Sequence, residues 1–175
     1  KDWHYNLLGI YNINKYGSFS NLVKFIRDNH NAIEGDIVEA GVFRGHSLIS
    51  LGLLLKQLGS DKLIYGFDTF SGFPSINEKD GRSDLMKKGN VATTKNYETY
   101  LDQIMSVQEQ QNPISHIKKY EICKGDASEK LKDYIENNPE TIIALAYFDF
   151  DIYEPTKNCL NLIKPRLVKG SILGF

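Results

Sequence analysis

The stretch DIVEAGVFRGHSLISLGLLLKQLG, residues 36–59, decides the fold of this chain. Its first five residues form a short, largely apolar run that closes at Gly41, which is typical of a buried parallel strand. The apolar pattern of residues 46–58 is too long for a strand and stops at Gly59, a common helix terminator. We therefore predict a strand, a glycine turn and a helix in immediate succession.

The alternation of strand and helix continues along the chain. Further strands are predicted at 63–67, 120–123, 141–148 and 171–175, and further helices at 95–110, 128–137 and 156–163. Strands separated by helical segments form right-handed βαβ units, so we predict an α/β fold with a doubly wound, mostly parallel sheet. The strand at 141–148 is the most apolar and is expected at the centre of the sheet.

The composition excludes several classes of protein. The 175 residues are 41% hydrophobic and 25% charged, which is ordinary for a soluble globular protein and argues against disorder. The net charge of -1 leaves no basic surplus for nucleic acid, and no apolar run approaches the ~20 residues of a membrane span. Cys123 and Cys159 lack metal-ligand spacing and are interpreted as free thiols of a reducing compartment, so we predict a cytoplasmic protein.

We predict a single domain over residues 1–175, with two segments outside the strand–helix alternation. Residues 1–34 are expected to form a helical cover, and residues 71–117, which are rich in turn-forming residues, a substrate lid. Three tyrosines of the first segment would pack on its helix or close over a ligand: Tyr5, Tyr11 and Tyr16. The chain has no initiator Met and is expected to be a piece of a longer protein. Whether that protein forms a homo-oligomer is left open.

The turn after the first strand resembles an anion-binding loop in its chemistry. Gly41 and Gly45 allow a tight turn and a close approach of a ligand to the backbone. The helix that follows offers unpaired N–H groups and a positive dipole end to an anion such as a carboxylate. Glu39, just before the turn, could accept a hydrogen bond from an ammonium group. The alternative is a surface Glu beside a plain strand-to-helix turn.

Two further acids end the second and third strands. Ligands of open α/β sheets bind outside the carboxyl ends of the strands. Asp68 could therefore hydrogen-bond both hydroxyls of a ribose, and Asp126 could reach an adenine amino group. The alternatives are an Asp68 that caps the next turn, and an Asp126 or Ser128 that caps the next helix. No Gly-x-Gly-x-x-Gly dinucleotide fingerprint and no phosphate-loop motif occurs.

Three acids follow the fourth strand within six residues: Asp149, Asp151 and Glu154. Carboxylates directly after a buried strand are costly to place unless they are solvated, paired or bound to a cation. Oxygen ligands of this kind suit Mg²⁺ or Ca²⁺. The alternative is that they only cap a turn and start the next helix.

Three segments carry a resemblance to a known family: VEAGVFRGHS at 38–47, FDTFSGFP at 67–74 and FDFDIYEPT at 148–156. Together they resemble the macrocin O-methyltransferase family. Its members are class I, Rossmann-like methyltransferases that use S-adenosylmethionine (SAM) to methylate sugar hydroxyls on antibiotics, with relatives in surface-polysaccharide clusters. The resemblance extends from about Gly35 to the end of the chain.

The resemblance implies a cofactor site built from turn and strand-end residues: Glu39, Gly41, Gly45, Ser47, Asp68 and Asp126. Glu39, Gly41 and Ser47 would face the methionine end of SAM. The acid of the second segment would take the ribose, and Asp126 the adenine. Asp149 would be the first Mg²⁺ ligand, and Asp149 or Asp151 the catalytic base.

The chain departs from the family pattern at four points. His46 and Phe150 stand where the family usually has glycine. The acidic pair that completes the family's metal site follows its fifth strand, past Phe175, and the final antiparallel strands of its sheet lie further on. We therefore expect the metal site to be incomplete and the C-terminal strands to be missing from these 175 residues.

The function that we predict is Mg²⁺-assisted methyl transfer from SAM to a sugar hydroxyl. The acceptor is a small-molecule sugar, a nucleotide sugar or a glycoside, and neither nucleic acid nor a membrane is a partner. One alternative is an O-methyltransferase of a phenolic or catechol-like acceptor. A second is a nicotinamide-dependent oxidoreductase, whose glycine pattern is absent. A third is a non-catalytic nucleoside-binding domain.

Overall fold

A computed structural model describes residues 17–175 of the chain. Its sheet has five parallel strands in the order β3-β2-β1-β4-β5, and these are β1 (Asp36–Ala40), β2 (Ile64–Asp68), β3 (Tyr120–Lys124), β4 (Ile143–Phe148) and β5 (Leu167–Gly174). The chain winds outward from β1 to β3 and then crosses to β4, so the strand order reverses between β1 and β4. The predicted α/β fold with a doubly wound parallel sheet is confirmed, except that β1 and not β4 holds the centre.

Helices cover both faces of the sheet, and they are α1 (Gly17–Asn29), α2 (His46–Leu58), α3 (Tyr97–Gln110), α4 (Ala127–Asn137) and α5 (Tyr153–Ile163). The core on one face packs α1, α2 and α3 against the sheet, and the core on the other face packs α4 and α5. No helix within residues 17–175 has the length and apolarity that a membrane crossing requires.

The inner strands are apolar because both of their faces are covered. Four successive residues of β4, 143–146, are at most 4% exposed, and β1 is buried from Ile37 to Ala40. A strand buried on both faces needs a continuous apolar run rather than an alternating one. The single charged side chain in this buried part of β1 is Glu39.

Two elements begin three or more residues before their predicted start. Helix α5 begins at Tyr153 and not at 156, because Pro155 lies in the first helical turn, where no backbone N–H is needed. Strand β5 begins at Leu167 and not at 171. Its register shifts against β4, and the Ser171 hydroxyl closes the bulge by donating to the Ile143 carbonyl at 2.7 Å and accepting from the Val168 N–H at 2.9 Å. A bulge with exposed residues leaves no apolar alternation to detect.

The structure describes most of the two segments that lie outside the strand–helix alternation, residues 1–34 and 71–117, and leaves out residues 1–16. Val23 and Ile26 of α1 are buried against α2 and the sheet, so this helix covers a face of the core. Tyr5, Tyr11 and Tyr16 lie outside the described residues. In the segment 71–117, α3 packs on α2 through the buried Leu101 and Met105, while residues 81–89 are almost entirely exposed. The lid function of this segment stays a prediction.

Candidate functional site

A cleft of about 120 Å³ lies at the carboxyl edge of the sheet, where the strand order reverses. Five of the predicted site residues line it: Gly41, Asp68, Asp126, Asp149 and Asp151. These residues end four different strands, and the parallel sheet brings them to one edge. The predicted Glu39, Gly45 and Ser47 do not line the cleft themselves, although they belong to the strand, turn and helix that form one of its walls.

Glu39 is the buried acid of the site. Its side chain is fully buried, the Ser47 hydroxyl donates to its Oε1 at 2.5 Å, and its Oε2 has no hydrogen-bond partner among the described residues. Burial raises the pKa of Glu39 to about 8, against the effect of the Ser47 hydrogen bond and with a contribution from the charge of Asp149. The alternative of a surface Glu is therefore wrong. A buried carboxyl oxygen without a partner is suited to a cationic donor.

The glycine turn is shaped by its contact with the end of β4. Gly41 has a φ of 95°, and a Cβ on it would lie 2.4 Å from the Asp149 carbonyl oxygen. The backbones are this close because the Asp149 N–H donates to the Ala40 carbonyl at 2.9 Å. Gly45 is the left-handed N-cap of α2, with a φ of 77°. Both glycines are thus required by backbone geometry, as the prediction of a tight turn supposed.

Asp68 ties the second strand to the glycine turn. Its Oδ2 accepts from the N–H groups of Val42 at 2.8 Å and Phe43 at 2.7 Å, and its Oδ1 accepts from the N–H of Phe70 at 2.6 Å. The carboxylate therefore organises two loops and keeps acceptor capacity on Oδ1. Its capping of the next turn, the alternative to the ribose role, is present in the structure. Ribose binding stays a prediction.

Asp126 caps α4. Its Oδ1 accepts from the N–H groups of Ser128 at 2.9 Å and Glu129 at 3.2 Å, which confirms the capping interpretation. The Asp126 Oδ2 makes no such bond, and the residue lines the same cleft as Asp68. An adenine contact is compatible with this arrangement and stays a prediction.

Asp149 and Asp151 follow β4, whereas Asp126 follows β3, and β2 and β1 lie between these two strands in the sheet. The surrounding protein shields the Asp149 carboxyl from water, and this desolvation raises its pKa. The negative charge of Asp151 raises the pKa further. Asp151 is exposed and has a left-handed backbone with a φ of 58°. Among the described residues, no group of three or more acids, histidines or cysteines is arranged to hold a metal ion. These residues therefore do not fit a complete Mg²⁺ site.

The apolar walls of the cleft are what the sequence interpretation missed. Phe43, Phe73 and Val91 line it, and two of them have left-handed backbones, with φ of 49° at Phe43 and 61° at Val91. Such values are strained for a β-branched residue and cluster at ligand sites. Phe73 belongs to the FDTFSGFP segment, and its place in that motif could have indicated that it lines the site. Nothing in the local pattern marks Val91.

His46, where the family usually has glycine, is the first residue of α2. Its Nε2 is buried without a hydrogen-bond partner among the described residues. Burial, and then the charge of Arg44, lowers the pKa of His46, so the imidazole is neutral at pH 7. The His46 side chain therefore adds no charge at the start of the helix.

Comparison with known proteins adds to this geometry. The model of the family described as Macrocin-O-methyltransferase (TylF) matches residues 16–174. The chain belongs to this family. The residues that match the macrocin O-methyltransferase family include every strand of the sheet and every residue that lines the cleft.

Several macrocin O-methyltransferase relatives resemble the chain. Demethyldecarbamoylnovobiocin O-methyltransferase of Streptomyces niveus is 23% identical over 178 residues, covering 97% of this chain and 62% of that protein. A crystal structure of CalS11, a calicheamicin methyltransferase, matches with a TM-score of 0.83 and 34% identity, covering 87% of this chain and 61% of that one. The apo structure of CalS11, described as a TDP-rhamnose 3'-O-methyltransferase of calicheamicin biosynthesis, matches with a TM-score of 0.71 and 30% identity, covering 87% and 59%. The chain thus spans 59–62% of the length of these relatives.

Proposed function

We propose that this chain is the SAM-binding part of an O-methyltransferase that methylates a sugar hydroxyl. Family membership over residues 16–174 supports the reaction class. The observation that carries the proposal is the buried Glu39 carboxyl, which has an unpartnered oxygen beside a glycine turn at the point where the strand order reverses. This is the chemistry that an amino-acid ammonium group requires.

The residues that line the cleft and those of its strand, turn and helix wall suit SAM group by group. Glu39 would accept from the ammonium, the backbone N–H groups at the start of α2 would face the carboxylate, and Asp68 would accept from the ribose. Asp126 would accept from the adenine amino group, between the apolar walls of the cleft. When bound there, SAM supplies an activated methyl group. The protein then has to position the acceptor oxygen and take its proton.

Asp149 and Asp151 are the residues that we propose for the acceptor side. The raised pKa of Asp149 makes its carboxylate a better proton acceptor than an ordinary aspartate, so it suits the role of general base toward a sugar hydroxyl. Mg²⁺ assistance at Asp149 remains part of the proposal, although the described residues do not supply a full set of ligands. No step above depends on that ion.

The names of the relatives support the proposed substrate class. By their names, the relatives act on demethyldecarbamoylnovobiocin and on TDP-rhamnose. We accordingly propose a sugar of a glycoside or nucleotide sugar as acceptor. A cytoplasmic location is proposed from the free thiols Cys123 and Cys159, both of which the structure shows unpaired.

Calorimetric titration with SAM and with NAD tests the cofactor. We expect SAM to bind and NAD not to bind. Asp68→Ala should weaken SAM binding by about 10- to 150-fold, which corresponds to one charge-assisted contact of about 1.5–3 kcal/mol. Asp84→Ala, at a fully exposed acid of the segment 71–117, is the matched control and should bind as the parent does. A folded Asp68→Ala protein with unchanged SAM affinity would contradict the assignment.

Methyl transfer by the whole protein tests the acceptor. A panel of nucleotide sugars, glycosides and catechols is incubated with labelled SAM, and we expect label in the sugars. Label only in the catechols would favour the phenolic alternative. SAM binding without transfer to any acceptor would favour a non-catalytic domain.

A further inference from the structure

Two lysines from distant parts of the chain face one tyrosine ring. The Lys79 Nζ lies 4.0 Å from the centroid of the Tyr153 ring, and the Lys157 Nζ lies 5.7 Å from the same centroid. Lys79 belongs to the segment 71–117 and Lys157 to α5. We call Lys79, Tyr153 and Lys157 the lysine clamp.

The positive charge of the lysine clamp is not balanced by an ion pair. Within residues 17–175, no carboxylate forms an ion pair with either ammonium group. Two of the acids near the lysines in sequence form hydrogen bonds to other groups. Asp80 accepts from the backbone N–H groups of Asn77 and Tyr153, and Glu154 accepts from the Asn77 side chain. Two neighbouring cations without an ion-pair partner favour an anionic ligand.

Hydrogen bonds hold Lys79 in place next to α5. The Asp80 Oδ1 accepts from the Tyr153 N–H at 2.6 Å, and the Asn77 amide donates to the Glu154 Oε1 at 3.2 Å. Asn77 and Asp80 also form a reciprocal capping box around the short turn that carries Lys79. The lysine clamp is thus assembled by the fold and does not depend on two free surface chains meeting by chance.

The lysine clamp opens onto the acceptor side of the site. One wide cavity is lined by Lys79, Tyr153 and Lys157 and also by Asp149 and Asp151. A molecule whose hydroxyl lies at Asp149 can therefore extend toward the two ammonium groups. The cavity is distinct from the cleft assigned to SAM, although the two share the residues 149–152.

We propose that the lysine clamp binds the phosphate groups of a phosphorylated acceptor, that is, of a nucleotide sugar rather than an uncharged glycoside. This inference rests on the proposed function, because it assumes that the hydroxyl to be methylated lies at Asp149. Lysine ammonium groups bind phosphate as point charges, and two of them match the charge of a diphosphate. The clamp selects the acceptor by its charge.

The test measures binding of thymidine diphosphate, pyrophosphate, inorganic phosphate and uncharged thymidine to the SAM-saturated protein by calorimetry. We expect the diphosphate to bind, with an affinity that falls as the salt concentration rises, and thymidine to bind far more weakly. Each of Lys79→Gln and Lys157→Gln should weaken diphosphate binding by about 5- to 10-fold, and the double variant by about 25- to 100-fold. Lys88→Gln, at an exposed lysine of the same segment that does not line the cavity, is the control.

The outcomes separate this inference from the proposed function. Loss of diphosphate affinity in the double variant, with its SAM affinity kept, supports the clamp, and so does a fall in the ratio of kcat/KM for a nucleotide sugar over an uncharged glycoside. Equal diphosphate affinity in the parent and the double variant overturns the clamp, as does thymidine binding as tight as that of the diphosphate. Tighter binding of inorganic phosphate than of thymidine diphosphate would also overturn the nucleotide-sugar assignment. Failure of the parent to bind SAM overturns the proposed function instead, and the same diphosphate titrations of the parent and the double variant, carried out without SAM, then decide the lysine clamp.

Discussion

Replacement of Glu39 by Gln should stabilise the protein while weakening its proposed cofactor site. Glu39 is fully buried, and only one of its carboxyl oxygens has a partner, the Ser47 hydroxyl. Gln has nearly the same shape, keeps an acceptor oxygen for Ser47 and carries no charge. The substitution therefore removes the cost of a buried ionisable group without creating a cavity.

The magnitude follows from the pKa of Glu39, which burial raises from 4.5 to about 8. Between these two values the folded protein binds one more proton than the unfolded chain, so wild-type stability falls as the pH rises through that window and levels off above about 8. Each pH unit in the window costs about 1.4 kcal/mol, which is on the order of 3 kcal/mol at pH 7. Glu39→Gln should be more stable than the parent by about this amount at pH 7, and by little near the unfolded pKa.

The same substitution should reduce affinity for SAM. An amide oxygen is a weaker acceptor for an ammonium group than a carboxylate, and we expect a loss of about 10- to 150-fold. Since the parent must release the Glu39 proton to bind a cation there, its SAM affinity should rise with pH up to about 8. The Gln variant should lack that rise. Stability and binding thus move in opposite directions at this residue.

Urea denaturation at several pH values between 5 and 9, together with calorimetric titration of SAM over the same range, measures both effects. Glu34→Gln, at an exposed acid, is the control and should change neither quantity. A Glu39→Gln protein that is less stable than the parent at pH 7, or that keeps the parent's pH slope, would refute the reasoning. Such a result would mean that Glu39 is ionised and well satisfied in the folded protein.

Three other predictions concern the turn, the acceptor side and the segment 71–117. Gly41→Ala should lower the free energy of unfolding by roughly 2–4 kcal/mol in urea denaturation, because its Cβ would lie 2.4 Å from the Asp149 carbonyl oxygen. The control Gly59→Ala has no atom within 4 Å of its Cβ and should lower the free energy of unfolding by about 1 kcal/mol. Equal losses in the two variants would contradict the packing argument. Methyl transfer by the whole protein should be stimulated by Mg²⁺, inhibited by a chelator and lost in Asp149→Asn, and full activity in the chelator would exclude the metal. Hydrogen exchange should be fast at residues 81–89 and should slow when cofactor and acceptor are both bound; strong protection in the free protein would argue against a lid.

Much of the architecture was predictable because it is encoded locally. The apolar run of residues 36–40, the helical pattern of 46–58 and the stop at Gly59 each depend on neighbours in sequence, and all three are present in the structure. The placement of Asp68, Asp126 and Asp149 at one edge also follows from sequence, because parallel strands bring their carboxyl ends together. Strand β5 is the exception, since its bulge breaks the local pattern.

By itself, then, the sequence determined the alternation of strands and helices, the glycine turn and the acids that end the strands, since these depend on short-range periodicity and on backbone geometry. Tertiary structure alone decided which acids are buried and what they contact. It left an oxygen of Glu39 unpartnered in the core, turned Asp68 back onto a loop 26 residues earlier, and set Lys79 beside the Tyr153 ring. Contacts of this kind depend on the order of the strands and on left-handed loop residues, and no local pattern of side chains specifies either.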